Sequence, residues 1–357
     1  MSILSSFSEA EKQQLLEFQQ LLEEKRILNE ISKLKFGRAH VARFLYSQQF
    51  AQEGATSSFE KYLEWRGAQH IDKMLEQDVS EMADVKRYLP HGYHQVDTEG
   101  RPVYILQVGQ IHVGDLFDSI SMDKLLKYFF KEIEEGWRER CFETAQVLQR
   151  EIDQVLLIVD LEGAKLKDLS SKQLQTAVGS FIEQVSMFYP EFLHRAFILN
   201  APMFFSDVWD DISPFLSKRT LGKVLISGES SHADLKEMVT PENLPAAYGG
   251  LCKCKATCVF SDKGPWSPTE NFVNYALNEE EFKYEDEEEE EEGCERGDFE
   301  GIRNAVQFIP SIPSAKNKFS GNDESERLKA QLGMLFGEGT ETPSQTPMNT
   351  QIEEENV

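Results

Sequence analysis

The chain has 357 residues, is 40% hydrophobic and carries a formal net charge of −25. That apolar content suffices for a sizeable core, while the acidic balance argues against a nucleic-acid partner, whose phosphates require a basic surface. Standing adhesion to anionic lipid is disfavoured for the same reason, so membrane contact is expected to be local, apolar and reversible.

Five cysteines and a start without basic or apolar secretory character point to a reducing compartment. No apolar run approaches the roughly 18 residues of a spanning helix. The expected location is the cytoplasm, with transient contact at membrane surfaces, Golgi and endosomal ones among the candidates.

Ser8-Glu9-Ala10-Glu11 is a capping-box pattern, and Leu15, Phe18, Leu22, Leu28, Ile31 and Leu34 follow at helical spacings. Val41, Phe44 and Leu45 mark a second helical stretch, and a third is expected from Ser57-Ser58 with Phe59, Tyr62, Leu63 and Trp65. These read as a small helical N-terminal domain, 1–80, packed by its own apolar faces.

From Tyr88 the character changes, and 81–275 reads as an α/β domain. Asp97-Thr98-Glu99-Gly100 is turn chemistry before a strand from Pro102 to Val108. Ser121 caps a long helix carrying Met122, Leu125, Phe129, Ile133 and Trp137. Val155 to Val159 is a buried strand, and Ser170 or Ser171 opens a helix with Leu174, Val178, Phe181, Ile182 and Val185. Ala196-Phe197-Ile198-Leu199 and Val224-Leu225-Ile226 are further strands. Their continuous apolar character predicts a mainly parallel sheet flanked by helices.

Between those last two strands, Met203 to Leu216 forms two adjacent apolar rows. Phe204, Val208, Ile212 and Phe215 make one; Phe205, Trp209, Ile212 and Leu216 make the other. Asp207, Asp210 and Asp211 keep the far side polar. With Thr220 and Lys223 at its edge, this is the layout of an apolar cavity with a helical lid and a few polar anchors.

Cys252, Cys254 and Cys258 lie close together, but no histidine or second cysteine pair neighbours them in sequence. A strand with its even-numbered residues on one face accounts for them, and no metal is expected. The segment 276–357 is different material. It holds an unbroken acidic octet from Glu285 to Glu292, and from Glu279 onward 22 acidic residues stand against 7 basic ones. Self-repulsion predicts an acidic, largely disordered tail. The spacing of Leu328, Leu332 and Leu335 or Phe336 leaves open two readings of Asn322 to Phe336, a short amphipathic docking helix or, the favoured one, a nascent helix in a loose tail. Phosphate loops of the GxxxxGK[ST] type, GxSxG and HExxH are absent, so no enzyme chemistry is indicated.

Tyr189-Pro190-Glu191, Leu199-Asn200-Ala201-Pro202, Pro214-Phe215-Leu216 and Lys223 resemble, in that order, the CRAL-TRIO lipid-binding family. Pro241-Glu242-Asn243-Leu244-Pro245 with Gly249-Gly250, and upstream Gly100-Arg101-Pro102-Val103-Tyr104, extend the likeness. It is strongest to the phosphatidylinositol/phosphatidylcholine transfer proteins. The resemblance implies a non-enzymatic protein that holds a phospholipid as ligand, needs no cofactor, and moves its lipid between membranes. It assigns Glu191, Thr220 and Lys223 to the inositol headgroup, and Lys218 and Arg219 are either a touch on headgroup phosphate or ordinary surface charges.

The chain departs from the family at Gln48 and Phe192, where arginines are expected, and at Lys165 and Lys167, where small hydroxyl residues face choline phosphate. A carrier of a neutral hydrophobe such as a tocopherol, sterol or retinoid, and a lipid-sensing scaffold working through its tail, stay open. So does a partner, either a lipid kinase or a tail-binding protein.

Overall fold

The computed structural model describes residues 2–28, 30–74, 83–228, 232–255 and 257–267, with side chains for all but 30–36, 83 and 84. The tail segment Asn322 to Phe336, the acidic octet and the proposed boundary at residue 80 lie outside the described positions, and Ile31 and Leu34 are described in backbone only.

Helix α1 (Glu9–Glu24) begins at the expected capping box: Ser8 accepts from the Glu11 amide, and the Glu11 carboxylate accepts from the Ser8 amide at 2.8 Å. Leu15, Phe18 and Leu22 are fully buried along it. Helix α2 (Glu30–Ser47) is interrupted at Gly37, whose φ of 69° is left-handed. Helix α3 (Gln52–Ala68) starts five residues before the expected Ser57, because Ala51 occupies its N-cap and no side chain signals the start. Helix α4 (Ile71–Met74) closes this region.

After α5 (Ala83–Tyr88) come β1 (His91–Val96), β2 (Pro102–Leu106), α6 (Val113–Ser119), α7 (Met122–Glu135), α8 (Phe142–Leu148) and β3 (Val155–Asp160). Then follow α9 (Leu166–Leu169), α10 (Lys172–Phe188), β4 (Leu193–Leu199), α11 (Phe205–Ile212), α12 (Lys218–Leu221), β5 (Val224–Ile226) and α13 (Ala233–Met238). The strands lie in sequence order, β1 antiparallel to β2 and the other pairs parallel. This is the mainly parallel α/β sheet that the continuous apolar runs predict, with one antiparallel edge strand added.

Local chemistry explains the motif before β2. Gly100 takes φ 86°, and Asp97 Oδ1 accepts from the amides of Glu99 and Arg101 at 2.9 and 2.8 Å. The Arg101 guanidinium pairs with Asp97 at 2.9 Å and also with Glu99. A buried Asp-Arg turn thus sets the hairpin register. Gly249 and Gly250 have equally local reasons. Gly249 takes φ 80°, and a Cβ on Gly250 would stand 2.0 Å from the Leu244 carbonyl oxygen. Helices α7 and α8 are joined by a π-helical turn, Gly136–Cys141. Gly136 is required there because a Cβ would stand 1.9 Å from the Tyr93 hydroxyl.

The two faces of the sheet are covered differently. Val103, Ile105, Leu156, Ile158, Phe197 and Leu199 form one face, each at most 3% exposed, beneath Leu235, Val239, Leu244, Tyr248 and Val259. Strand register puts Tyr104, Leu106, Leu157, Val159, Ala196, Ile198, Val224 and Ile226 on the other. Ala196 and Ile198 are buried there, but Tyr104, Leu106, Leu157, Val159 and Val224 are only half-buried, and Ile226 is exposed.

The N-terminal helices dock through the end of α3. Trp65 stacks on Phe188 of α10 with centroids 4.3 Å apart, and its Nε1 donates to Gln184 at 3.3 Å. Arg66 makes a bidentate pair with the fully buried Glu134 of α7, both contacts 2.8 Å, and Tyr189 donates to the same carboxylate at 2.7 Å. Such a pair holds three elements in one geometry.

Candidate functional site

In a parallel pair the starts of β4 and β5 lie at one end of the sheet, which brings Glu191 and Lys223 together. Lys223 Nζ donates to Glu191 Oε2 at 2.6 Å and to the Leu193 carbonyl at 2.7 Å. Glu191 follows Pro190 with a left-handed φ of 58°, and its carbonyl accepts from Gln154 Nε2 at 2.9 Å. The turn anticipated from the proline is thereby pinned to the strand neighbour β3.

Arg219 joins the pair. Its Nη1 donates to Glu191 Oε1 at 3.0 Å and to the Tyr46 carbonyl at 3.2 Å, and the guanidinium lies 4.6 Å over the Tyr46 ring. Two cations therefore share one carboxylate, leaving a local excess of positive charge. Sequence reasoning left Arg219 between a headgroup contact and a surface charge, and had no signal for Tyr46, because the two lie 173 positions apart. Lys218 is exposed.

Thr220 lies in the same short helix, α12. Its hydroxyl is 2.9 Å from the Ser217 hydroxyl, which caps the helix by accepting from the Thr220 amide at 3.1 Å. Gln48 is exposed. Phe192 is buried with the Arg43 guanidinium 5.4 Å from its ring centroid. Lys165 and Lys167 are both exposed.

The expected lid is a helix only over α11, followed by a tight turn at Ser213–Phe215 where Pro214 cannot continue the hydrogen bonding. Phe205 and Val208 are buried, and Phe204, Trp209 and Ile212 pack beside them against Ile198, Val159, Leu174 and Val224. Phe215 instead meets α10, where a Cβ on Gly179 would stand 2.9 Å from its ring, and Leu216 is half-buried in extended backbone. Asp207, Asp210 and Asp211 are exposed as the pattern requires, and Gln175 of α10 donates to Asp211 at 3.0 Å. Met203, just before α11, is 99% exposed. On the opposite face, a small cavity of about 50 Å³ lined by Phe197, Leu225 and Leu235 has no room for a lipid chain.

The strand expected at Cys252–Cys258 is absent among the described residues, where a lone bridge pairs Cys252 with Pro245. The segment is a compact loop instead, and it brings Cys252, Cys254 and Cys258 to His94 of β1. The expectation that no histidine lies near these cysteines holds along the chain and fails in space.

Among the described residues no helix is long and apolar enough to cross a membrane. Residues 86–250 match the CRAL/TRIO domain model. Phosphatidylinositol/phosphatidylcholine transfer protein SFH7 of Arabidopsis thaliana is 34% identical over 248 residues, 68% of this chain and 45% of its own length. SFH11 of the same plant, likewise named a phosphatidylinositol/phosphatidylcholine transfer protein, is 32% identical over 228 residues, 63% of this chain and 60% of its own. The Sec14 cytosolic factor of Schizosaccharomyces pombe is 30% identical over 233 residues, 64% of this chain and 79% of its own.

The chain thus spans about half the length of several curated relatives it matches. The crystal structure of Sfh5 superposes with a TM-score of 0.50 at 17% identity, over 61% of this chain and 80% of that one, a likeness of fold alone. With the sheet, the α11 cover and the sequence relatives in agreement, the chain belongs to the CRAL/TRIO family and resembles its phosphatidylinositol/phosphatidylcholine transfer members.

Proposed function

We propose that this protein is a phospholipid carrier that takes phosphatidylinositol and transfers or presents it between membranes. The observation that carries the reading is the Glu191–Lys223–Arg219 cluster at one end of a half-open apolar sheet face. A carboxylate exchanges hydrogen bonds with inositol hydroxyls, while an ammonium and a guanidinium meet a phosphodiester. One carboxylate against two cations leaves one positive charge, the complement of a phosphodiester.

Arg219, delivered from α12 and stacked on Tyr46, supplies a guanidinium where positions 48 and 192 lack one. The acyl chains lie against Leu106, Leu157, Val159 and Val224 under α11, each buried methylene contributing about 0.8 kcal/mol. The work is physical: no covalent bond changes and no cofactor is needed. Relatives named as transfer proteins support the carrier reading. The division into 1–80, 81–275 and 276–357, and a cytoplasmic location with transient membrane contact, belong to the same proposal.

Native mass spectrometry after incubation with mixed liposomes tests it. The expected result is a one-to-one adduct with the mass of phosphatidylinositol. Lys223→Ala and Arg219→Ala should each lower its fraction at least tenfold while other ligands still load. An adduct with a neutral hydrophobe overturns the headgroup assignment, and a protein that takes up nothing overturns the carrier reading.

A further inference from the structure

β1 is an edge strand, and its outer side is met by the loop that follows Gly250. Gly92 allows the approach, since a Cβ there would stand 2.3 Å from the Val259 carbonyl oxygen. Two residues on, His94 is fully buried, with its Nδ1 2.8 Å from the Ser261 hydroxyl. That hydroxyl has one proton and donates it to the Cys258 carbonyl at 2.7 Å. It must therefore accept from His94, which puts the ring proton on Nδ1 and a free lone pair on Nε2. Nε2 is buried with no hydrogen-bond partner, a costly condition for a polar atom.

What surrounds that lone pair is sulfur. His94 and the thiols of Cys252, Cys254 and Cys258 each place one donor atom so that all four lie within 4.8 Å of one another. Cys252 Sγ and Cys254 Sγ are 3.8 Å apart. A disulfide needs about 2.05 Å. A tetrahedron built on metal–sulfur bonds of about 2.3 Å has edges of about 3.8 Å.

We propose that His94 Nε2 and the sulfurs of Cys252, Cys254 and Cys258 form a closed, four-ligand site for a structural zinc ion. Three thiolates and an imidazole are donors for a borderline-soft cation and not for magnesium or calcium, which take oxygen. Four protein ligands leave no open position, so the role is structural and not catalytic. Binding displaces one proton from each thiol to solvent as its metal–sulfur bond forms. Ser261 is the outer partner that fixes the histidine tautomer and ring orientation.

The ion pins the loop to the sheet edge beside three other contacts. These are the Gln95 amide to the Lys263 carbonyl at 2.5 Å, Arg140 to Asp262 at 3.1 Å, and Tyr93 against Trp266. The signal in sequence is weak because the fourth ligand stands 158 positions before the first cysteine.

The test uses the full chain, purified without chelator and analysed for bound metal. One zinc per chain is expected, and cobalt exchanged into the site should show the intense visible bands of tetrahedral thiolate coordination. Cys254→Ser and His94→Ala should each drop zinc well below one equivalent. Because those variants are also open to misfolding, the unaltered protein is treated with a strong chelator in parallel. Zinc loss should expose Cys252, Cys254 and Cys258 to alkylation and lower the melting temperature by several degrees. Zinc should restore both readouts, and magnesium neither. Folded, reduced protein that takes up no zinc, a disulfide among these cysteines, or full zinc retention in both variants would overturn the site.

Discussion

The two faces of the sheet are built from the same kinds of residue and end in different states. Ile158 and Val159 are neighbours on β3, yet one is fully buried under the C-terminal segment while the other, on the α10 and α11 side, remains half-buried. Hydrophobicity alone does not separate them. What differs is the cover: α13 and the chain after it seal one face with their own side chains. On the other, the lining of α10 mixes half-buried Val178, Phe181 and Ile182 with buried Gly179 and Ser180. A face sealed by its own chain supplies stability. A face left half-covered by apolar groups is suited to a ligand of the same character.

Arg66→Ala should have the largest effect, because it strips the support of the half-covered side and takes from the buried Glu134 its bidentate partner, leaving only Tyr189 at 2.7 Å and Arg138 at 3.8 Å. A loss of roughly 3–5 kcal/mol is expected in urea unfolding. Ile158→Ala and Val159→Ala test the comparison directly. The first should cost about 2–5 kcal/mol. The second should cost no more than about 1 kcal/mol while reducing lipid uptake from liposomes. Equal costs at the two positions would erase the distinction between the faces.

A pH experiment probes the polar end of the half-covered side. Burial alone would raise Glu132, but the His91 ring 3.8 Å away, the charge of Lys86 and a hydrogen bond from Tyr128 at 2.9 Å bring its carboxyl down to about 2. A lowered folded-state value means the contribution is complete above the ordinary glutamate value of about 4.3. It is lost as pH falls from there towards 2, to a total on the order of 3 kcal/mol. Glu132→Gln should flatten that part of the stability curve. Smallest in stability is Met203→Ser, expected to be neutral within about 0.5 kcal/mol. If the exposed methionine touches the bilayer as α11 opens, this variant should slow vesicle-to-vesicle transfer several-fold with unchanged loading.

The alternation of strands and helices was legible because β2 to β5 are continuous apolar runs, and the capping box at Ser8 is local chemistry. β1 was not legible. Its sequence, His-Gly-Tyr-His-Gln-Val, carries little apolar content, and its histidines are buried only because Tyr128 and Ser261 bond them from distant parts of the chain. Glu191 and Lys223 could be named from a motif, but that both cations share one carboxylate depends on where α12 folds against Tyr46. Periodicity carries no information about such pairings across the fold.

An open sheet has two unpaired margins, and each is a template on which another chain can grow a strand. Here β5 presents only three residues, too short to recruit a stable neighbour. The outer margin of β1 is occupied by the chain's own loop, through the Gln95–Lys263 bond and the close passage of Val259 over Gly92. The loop therefore does for the protein what barrel closure does elsewhere, guarding it from self-templated aggregation.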